Sequence, residues 1–293
     1  MVEEGPSFLV PLLDLGRVDE DTFTGNSPAD WGERVFGGQV AAQALVAAKR
    51  TVSVERRVHS LHAYFLRPGN PTEPIVYKVD RIRDGGSFTT RRVVASQAEG
   101  AIFSMSASFQ LREEGFFHQD QMPDVPDPES LPTNAERLEG IFDRLGNISD
   151  DMRRRMLRPG PVDMRWCDGA TAPRGQSRAP RGMVWMRIRE SLPADLQLNT
   201  CCLVYASDFT LAETIMRPHA AHWMTGEVMV ASLDHAMWFH DDLSADQWWL
   251  YVEDSPAAGG SRGLARGSIF SRDGRLVCSV AQEVLLRKIK PRN

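Results

Sequence analysis

The sequence predicts an α+β fold made of two copies of one unit, each a strand, one long helix and then several antiparallel strands. Three observations carry this. Residues 102–110 alternate, with Phe103, Met105, Ala107 and Phe109 on one face and Ser104, Ser106 and Ser108 on the other, the period of two of a half-buried strand. A second such strand closes the chain, where Cys278, Val280, Gln282, Val284 and Leu286 share a face. Landmarks also recur at a nearly constant spacing. Leu111-Arg112 and Leu286-Arg287 lie 175 residues apart, Gly85-Gly86-Ser87 and Gly259-Gly260-Ser261 lie 174 apart, and His62-Ala63 and His235-Ala236 lie 173 apart. A spacing held over three landmarks points to duplication of a whole unit.

In chain order, the N-terminus starts acidic and lacks the small-residue cleavage pattern of a secretory signal. GGQVAAQALVAAK, residues 37–49, reads as the helix of the first unit, and SDFTLAETIM, residues 207–216, as that of the second. Between the units lies a Pro- and acid-rich segment, MPDVPDPESLP, then a polar helical stretch near 134–156. The expected organisation is a first unit over 1–114, a linker over 115–160 and a second unit over 161–293. One helix covers only one face of such a sheet, so the units should pack on each other or on further subunits. The two Gly-Gly-Ser segments fit neither Gly-x-Gly-x-x-Gly nor a P-loop and read as starts or bends of strands.

Composition excludes several function classes. Net charge is −5 with no basic stripe, so nucleic acid and anionic membranes have no support as partners. No run of about 18 apolar residues is present, so no membrane insertion is expected. The four cysteines, Cys167, Cys201, Cys202 and Cys278, form no Cys-x-x-Cys pair and have no histidines at zinc-site spacing. They read as reduced residues of a cytoplasmic protein, with no metal expected.

The blocks VFGGQVAAQAL, VHSLHAYFLRPG, DGGSFTTRRV, SMSASFQ, YASD, DHAMWFH and DGRLVCSVAQE resemble the acyl-CoA thioesterase II family, bacterial and peroxisomal, from about Val18 to Arg287. The resemblance implies a double hotdog fold, in which a curved antiparallel sheet wraps a central helix in each half. It also implies hydrolysis of acyl-CoA to CoA and a free acid with no cofactor, and a homo-oligomer, dimer or tetramer. Residue by residue it puts a catalytic Asp at Asp208, a hydroxyl at Ser232, where some members have Thr, and an amide at Gln282. His59 resembles a histidine found in its block and is a candidate supporting residue.

Each residue also has a plainer reading. Gln282 lies on a core face, where an amide without partners costs about 1–3 kcal/mol; it can equally be a structural amide tied to backbone. Its repeat counterpart is Ala107. Asp208, placed at the start of the second helix, can be an N-cap. Ser232 can be an ordinary strand serine, and no Gly-x-Ser-x-Gly elbow surrounds it. Asp234 and His235 are adjacent on a strand and point to opposite faces, so they do not read as a dyad. Glu213 reads as structural.

The implied chemistry has Asp208 accept a proton from a water held by Ser232 and Gln282. Backbone N–H groups at a helix start, either Gly37-Gly38-Gln39 or the one near Asp208, would hold the oxyanion. Phe103, Met105 and Phe109 are candidates for an acyl slot, and Arg91, Arg92, Arg262 and Arg266 for the CoA phosphates. Two rivals are a hotdog hydratase or dehydratase, which needs a catalytic His, and a double hotdog that binds acyl-CoA without cleaving it.

Overall fold

The computed structural model describes residues 8–28, 32–146, 148–168, 176–221 and 227–289. The first half supplies α1 (Leu9–Leu13), β1 (Gly16–Arg17), β2 (Thr22–Gly25), α2 (Gly37–Lys49), β3 (Arg56–Phe65), β4 (Ile75–Asp84), β5 (Phe88–Gln97) and β6 (Gly100–Leu111). The connection carries α3 (Asn134–Leu145) and α4 (Asp150–Leu157). The second half supplies β7 (Val162–Trp166), β8 (Arg181–Ile188), α5 (Leu196–Ser207), α6 (Leu211–Met216), β9 (Val228–Ser232), β10 (Asp234–Phe239), β11 (Trp249–Gly259), β12 (Arg262–Ser271) and β13 (Leu276–Lys288).

Among the described residues these strands form one antiparallel sheet, in the order β1-β2-β4-β5-β6-β3-β10-β13-β12-β11-β8-β7, with β9 beside the end of β13. From the β3–β10 junction outward, both directions read alike: β3-β6-β5-β4-β2-β1 one way and β10-β13-β12-β11-β8-β7 the other. At the junction Ala63 pairs with His235 and Leu61 with Met237. The alternating faces follow the sequence pattern. Phe103, Met105, Ala107 and Phe109 on β6, and Cys278, Val280, Gln282 and Val284 on β13, are all buried.

One landmark sits on the wrong face for a simple repeat. His62 is exposed and meets Trp238 edge-on at 5.2 Å, whereas His235 is buried. A slip of one residue exchanges the two faces of a strand. By face, the counterpart of His235 is Leu61, 174 residues earlier, and not His62.

The helices differ from expectation in the second half. Residues 207–216 do not form one helix. The long helix is α5, opened by the Asp195 carboxylate, which accepts from the backbone N–H groups of Gln197 (2.8 Å) and Leu198 (3.2 Å). It closes at Asp208, and the short α6 follows. Its sequence, LQLNTCCLVYAS, is buried nearly all round from Cys201 to Ser207, so it lacks the apolar stripe that marks a surface helix. α2 is likewise buried on most sides and is entered from Phe36 in extended backbone. The two helices pack side by side and antiparallel: Gly38 abuts Tyr205 near the end of α5, and Lys49 lies close to Cys201 and Asp195 near its start. α2 rests on β4, β5 and β6, and α6 rests on β11 and β12.

The connection runs over the second half. Trp185 donates its indole N–H to the carbonyl of Pro126 (2.9 Å), and the Gln119 amide bridges the Gly274 carbonyl (2.8 Å) and the Leu276 N–H (3.1 Å). α3 opens with a capping box formed by Thr133 and Glu136, and its Arg137 stacks over Trp166 of β7 at 4.3 Å. The Gly-Gly-Ser segments are the turns of the β4–β5 and β11–β12 hairpins. In the second, Gly260 (φ 56°) and Ser261 (φ 61°) take the left-handed backbone of a type I′ turn.

Candidate active site

Three segments that are far apart in sequence meet where α5 ends. Asp208 is the C-terminal cap of α5, Ser232 ends β9, and Gln282 lies in the middle of β13. The Gln282 amide nitrogen donates to Asp208 Oδ1 (2.8 Å) and to Ser232 Oγ (2.8 Å), and the Ser232 hydroxyl donates to the same Oδ1 (3.1 Å). Gln282 and His235 are each only 1% exposed, while Asp208 and Ser232 stay partly exposed. The cluster thus has a buried end and an open end.

The break between β9 and β10 places the serine. Both strands pair with β13, but Leu233 interrupts them, and its N–H and carbonyl bond to Glu283 and Phe65 (2.9 Å each). The Asp234 carboxylate accepts the Glu283 backbone N–H at 2.6 Å. Asp234 therefore holds the break, and His235 turns to the opposite face, as strand alternation requires.

The first half contributes backbone. The Asp208 carboxylate also accepts the N–H of Gly38 in the first turn of α2. A β-carbon on Gly37 would lie 2.6 Å from Asp208 Oδ2, and one on Gly38 would lie 2.3 Å from the Tyr205 carbonyl. Only glycine permits this approach. An acid from one half thus sits on the helix N-terminus of the other, where unpaired N–H groups and the helix dipole favour negative charge. The expected second helix start lies three residues beyond Asp208: Asp208 closes α5, and the short α6 begins at Leu211.

Burial pushes the Asp208 carboxyl above its ordinary range. The nearby His235 and the donors Gln282, Ser232 and Gly38 pull it back in part. Burial likewise pushes the His235 imidazole down, against the pull of Asp208.

His235 was legible as a strand residue but not as a member of this cluster. Its Nδ1 faces Gln282 Oε1, and its Nε2 lies 2.9 Å from Ser207 Oγ. The signal available was register: the β10–β13 ladder runs from Phe239–Cys278 to Ala236–Ala281, and one step further sets His235 beside Gln282.

Other expected residues lie elsewhere. The Gln39 amide bonds Ser27 Oγ (2.9 Å) and the Asn26 carbonyl (3.3 Å), so it anchors the chain before α2. His59 pairs with Ser108 Oγ (2.8 Å) and meets Phe88 edge-on at 5.5 Å. Phe103, Met105 and Phe109 are buried in the core. The four arginines already have acidic partners: Arg91 with Asp84, Arg92 with Asp80, Arg262 with Glu283 and Arg266 with Asp254, all within 2.9 Å. Glu213 pairs with Arg137.

A cavity of about 420 Å³ opens beside Phe209, the residue after Asp208. Leu138 and Ile141 of α3, Met156 of α4, and Val162 and Trp166 of β7 line it with Phe209. Burial pushes the thiols of Cys167 and Cys201 up to about 11 and about 12, far from the thiolate a nucleophile needs. Among the described residues no cluster of His, Cys, Asp and Glu is arranged to hold a metal ion.

Comparison with known proteins supplies the family. A sequence profile described as acyl-CoA thioesterase matches residues 164–285, and one described as acyl-CoA thioesterase N-terminal domain matches residues 27–110. Acyl-coenzyme A thioesterase 8 of Mus musculus is 40% identical over 287 residues, 96% of this chain and 88% of that protein. The crystal structure of acyl-CoA thioesterase II TesB2 from Mycobacterium marinum matches with a TM-score of 0.78 at 41% identity, covering 97% of this chain and 100% of that one. A protein of unknown function with a hot dog fold from Alicyclobacillus acidocaldarius matches with a TM-score of 0.76 at 19% identity, covering 96% and 98%; at that identity the likeness is one of fold. With both halves matched by profiles and relatives aligned along nearly its whole length, the chain belongs to the acyl-CoA thioesterase family.

Proposed function

We propose that Asp208, Ser232 and Gln282 hold and activate the water that hydrolyses acyl-CoA to CoA and a free acid. The observation that carries this reading is the convergence of an amide and a hydroxyl on Asp208 Oδ1, at the N-terminus of α2. Asp208 takes a proton from the water as it attacks the thioester carbonyl. First-turn N–H groups of α2 hold the developing oxyanion. Collapse of the tetrahedral intermediate then expels the CoA thiolate. Asp208→Ala is expected to lower kcat by about 10²–10⁴-fold in a protein that keeps its wild-type circular dichroism. Near wild-type kcat in that variant would overturn the assignment.

Three further readings go with it. The halves are two hotdog units, residues 1–114 and 161–293, each with a central helix, α2 and α5, joined by 115–160. The acyl chain runs past Phe209 into the cavity under α3 and α4. The protein works in the cytoplasm as a homo-oligomer that meets through the sheet face the helices leave open. The hydratase reading needs a histidine open to the substrate. His235 is buried with both ring nitrogens engaged, which favours hydrolysis.

A further inference from the structure

We propose that His235 is a positioning residue that fixes which end of the Gln282 amide faces Asp208. This rests on the reading of Asp208, Ser232 and Gln282 as the water-holding set. An amide has a donor end and an acceptor end of nearly the same shape, so packing alone does not orient it. Turned the other way, Gln282 would set its carbonyl oxygen 2.8 Å from Asp208 Oδ1, two acceptors face to face, and Ser232 would lose a donor. What holds the productive orientation is a donor aimed at Oε1, and His235 Nδ1 is that group.

The histidine must then carry its proton on Nδ1, because the Gln282 Oε1 that faces it only accepts, and Ser207 stands at the other nitrogen. Ser207 Oγ lies 2.9 Å from His235 Nε2 and 2.9 Å from the Val204 carbonyl. Its single proton serves only one of them: turned from the Val204 carbonyl to Nε2, it makes that nitrogen the acceptor and leaves the proton on Nδ1. The bonds then run in one sense: Ser207 to His235, His235 to Gln282, Gln282 to Asp208 and Ser232, and Ser232 to Asp208. All donors in this run lead to the carboxylate. The titratable groups around His235 are Asp208 at the end of α5, Asp234 beside it on β10, and Tyr251 of β11, whose hydroxyl meets the Ser207 carbonyl at 3.3 Å. Burial opposes a charge on the imidazole, so the neutral Nδ1–H form is the working one. Leu61, the counterpart by face in the first half, has no polar side-chain atom, and neither does Ala107, the counterpart of Gln282.

The experiment compares His235→Leu, which removes the donor, with His235→Asn, whose amide restores a donor near Nδ1, using hydrolysis of a fixed acyl-CoA. His235→Leu is expected to lower kcat by about 10²-fold with KM within about twofold. The acid limb of its kcat/KM–pH profile should move to higher pH, because Asp208 loses a donor that stabilises its charge. His235→Asn should recover at least about tenfold of that loss. In a Gln282→Ala background, His235→Leu should have almost no further effect, since two residues acting through one contact are not additive. That cycle reads the coupling even if His235→Leu lowers the melting temperature. Equal losses for Leu and Asn, or multiplicative effects in the double variant, would overturn the proposal and leave the Asp208 reading intact. Near wild-type turnover by Asp208→Ala, measured alongside, would remove the basis of both.

Discussion

At the scale of residues, the site joins one acid to an unusual density of donors. Asp208 accepts from Gln282, Ser232 and the Gly38 backbone, and each bond favours its charged form while burial opposes it. On the proposed mechanism activity needs the carboxylate, so it should fall as pH drops through the raised Asp208 pKa. Ser232→Ala removes one donor and raises that pKa further. The acid limb of kcat/KM should therefore move to higher pH, with kcat on the alkaline plateau down by about tenfold or more; an unmoved limb would show that the serine does not touch the acid. Ser232→Thr keeps the hydroxyl and should keep the limb in place. As members of one cluster, Asp208, Ser232 and Gln282 were legible through YASD, the residues just before DHAMWFH, and DGRLVCSVAQE. His235 was not. Its neighbour Asp234 invites a dyad that alternation forbids, and its real partner lies 47 positions away across a ladder whose register the sequence does not display. The arginines are a related case: sequence shows cations but not the carboxylates opposite them on the next strand.

At the scale of elements, strands were easier to read than buried helices. β6 and β13 announce themselves by alternation because one side of each meets serines, glutamate or solvent. α5 is enclosed on nearly every side, so its cysteines, leucine and valine show no stripe. The more amphipathic run after Asp208 draws the helix assignment to itself and shifts Asp208 from the end of a helix to its start. The consequence is chemical: an acid at a C-terminus meets an unfavourable dipole from its own helix, and the N-terminus of α2 compensates. The linker helices were foreseen as polar, but their inner faces supply Leu138, Ile141 and Met156 to the cavity. Leu138→Trp fills that space and should cut kcat/KM for long acyl-CoAs by about tenfold or more while sparing short ones, since specificity of this kind rests on a few methylenes at about 1–3 kcal/mol each. A uniform loss across chain lengths would remove the cavity from the substrate's path.

At the scale of the whole molecule, the sheet reads alike outward from its middle, and among the described residues the Asp208 cluster has no like partner on the first half's side. Its side chains come from the second half and its helix N-terminus from the first. The open face of the sheet carries Tyr64 (63% exposed), across from Asp234, and Trp238 (38% exposed), against His62, spaced along the junction, an aromatic surface of the kind that marks association. Light scattering should give a multiple of the 32.8 kDa chain mass, and Trp238→Glu should shift the protein toward monomer without loss of secondary structure. A wild-type monomer at micromolar concentration would refute the assembly. The β3–β10 ladder has one more consequence. Because main-chain hydrogen bonds stitch the halves together through the middle of the sheet, no hinge lies between them, and a clamshell closure over the substrate would have to tear a ladder apart. Entry and release then fall to side chains and to the strap of linker helices, so viscosity and linker cross-linking, rather than inter-domain flexing, should govern any step slower than the chemistry.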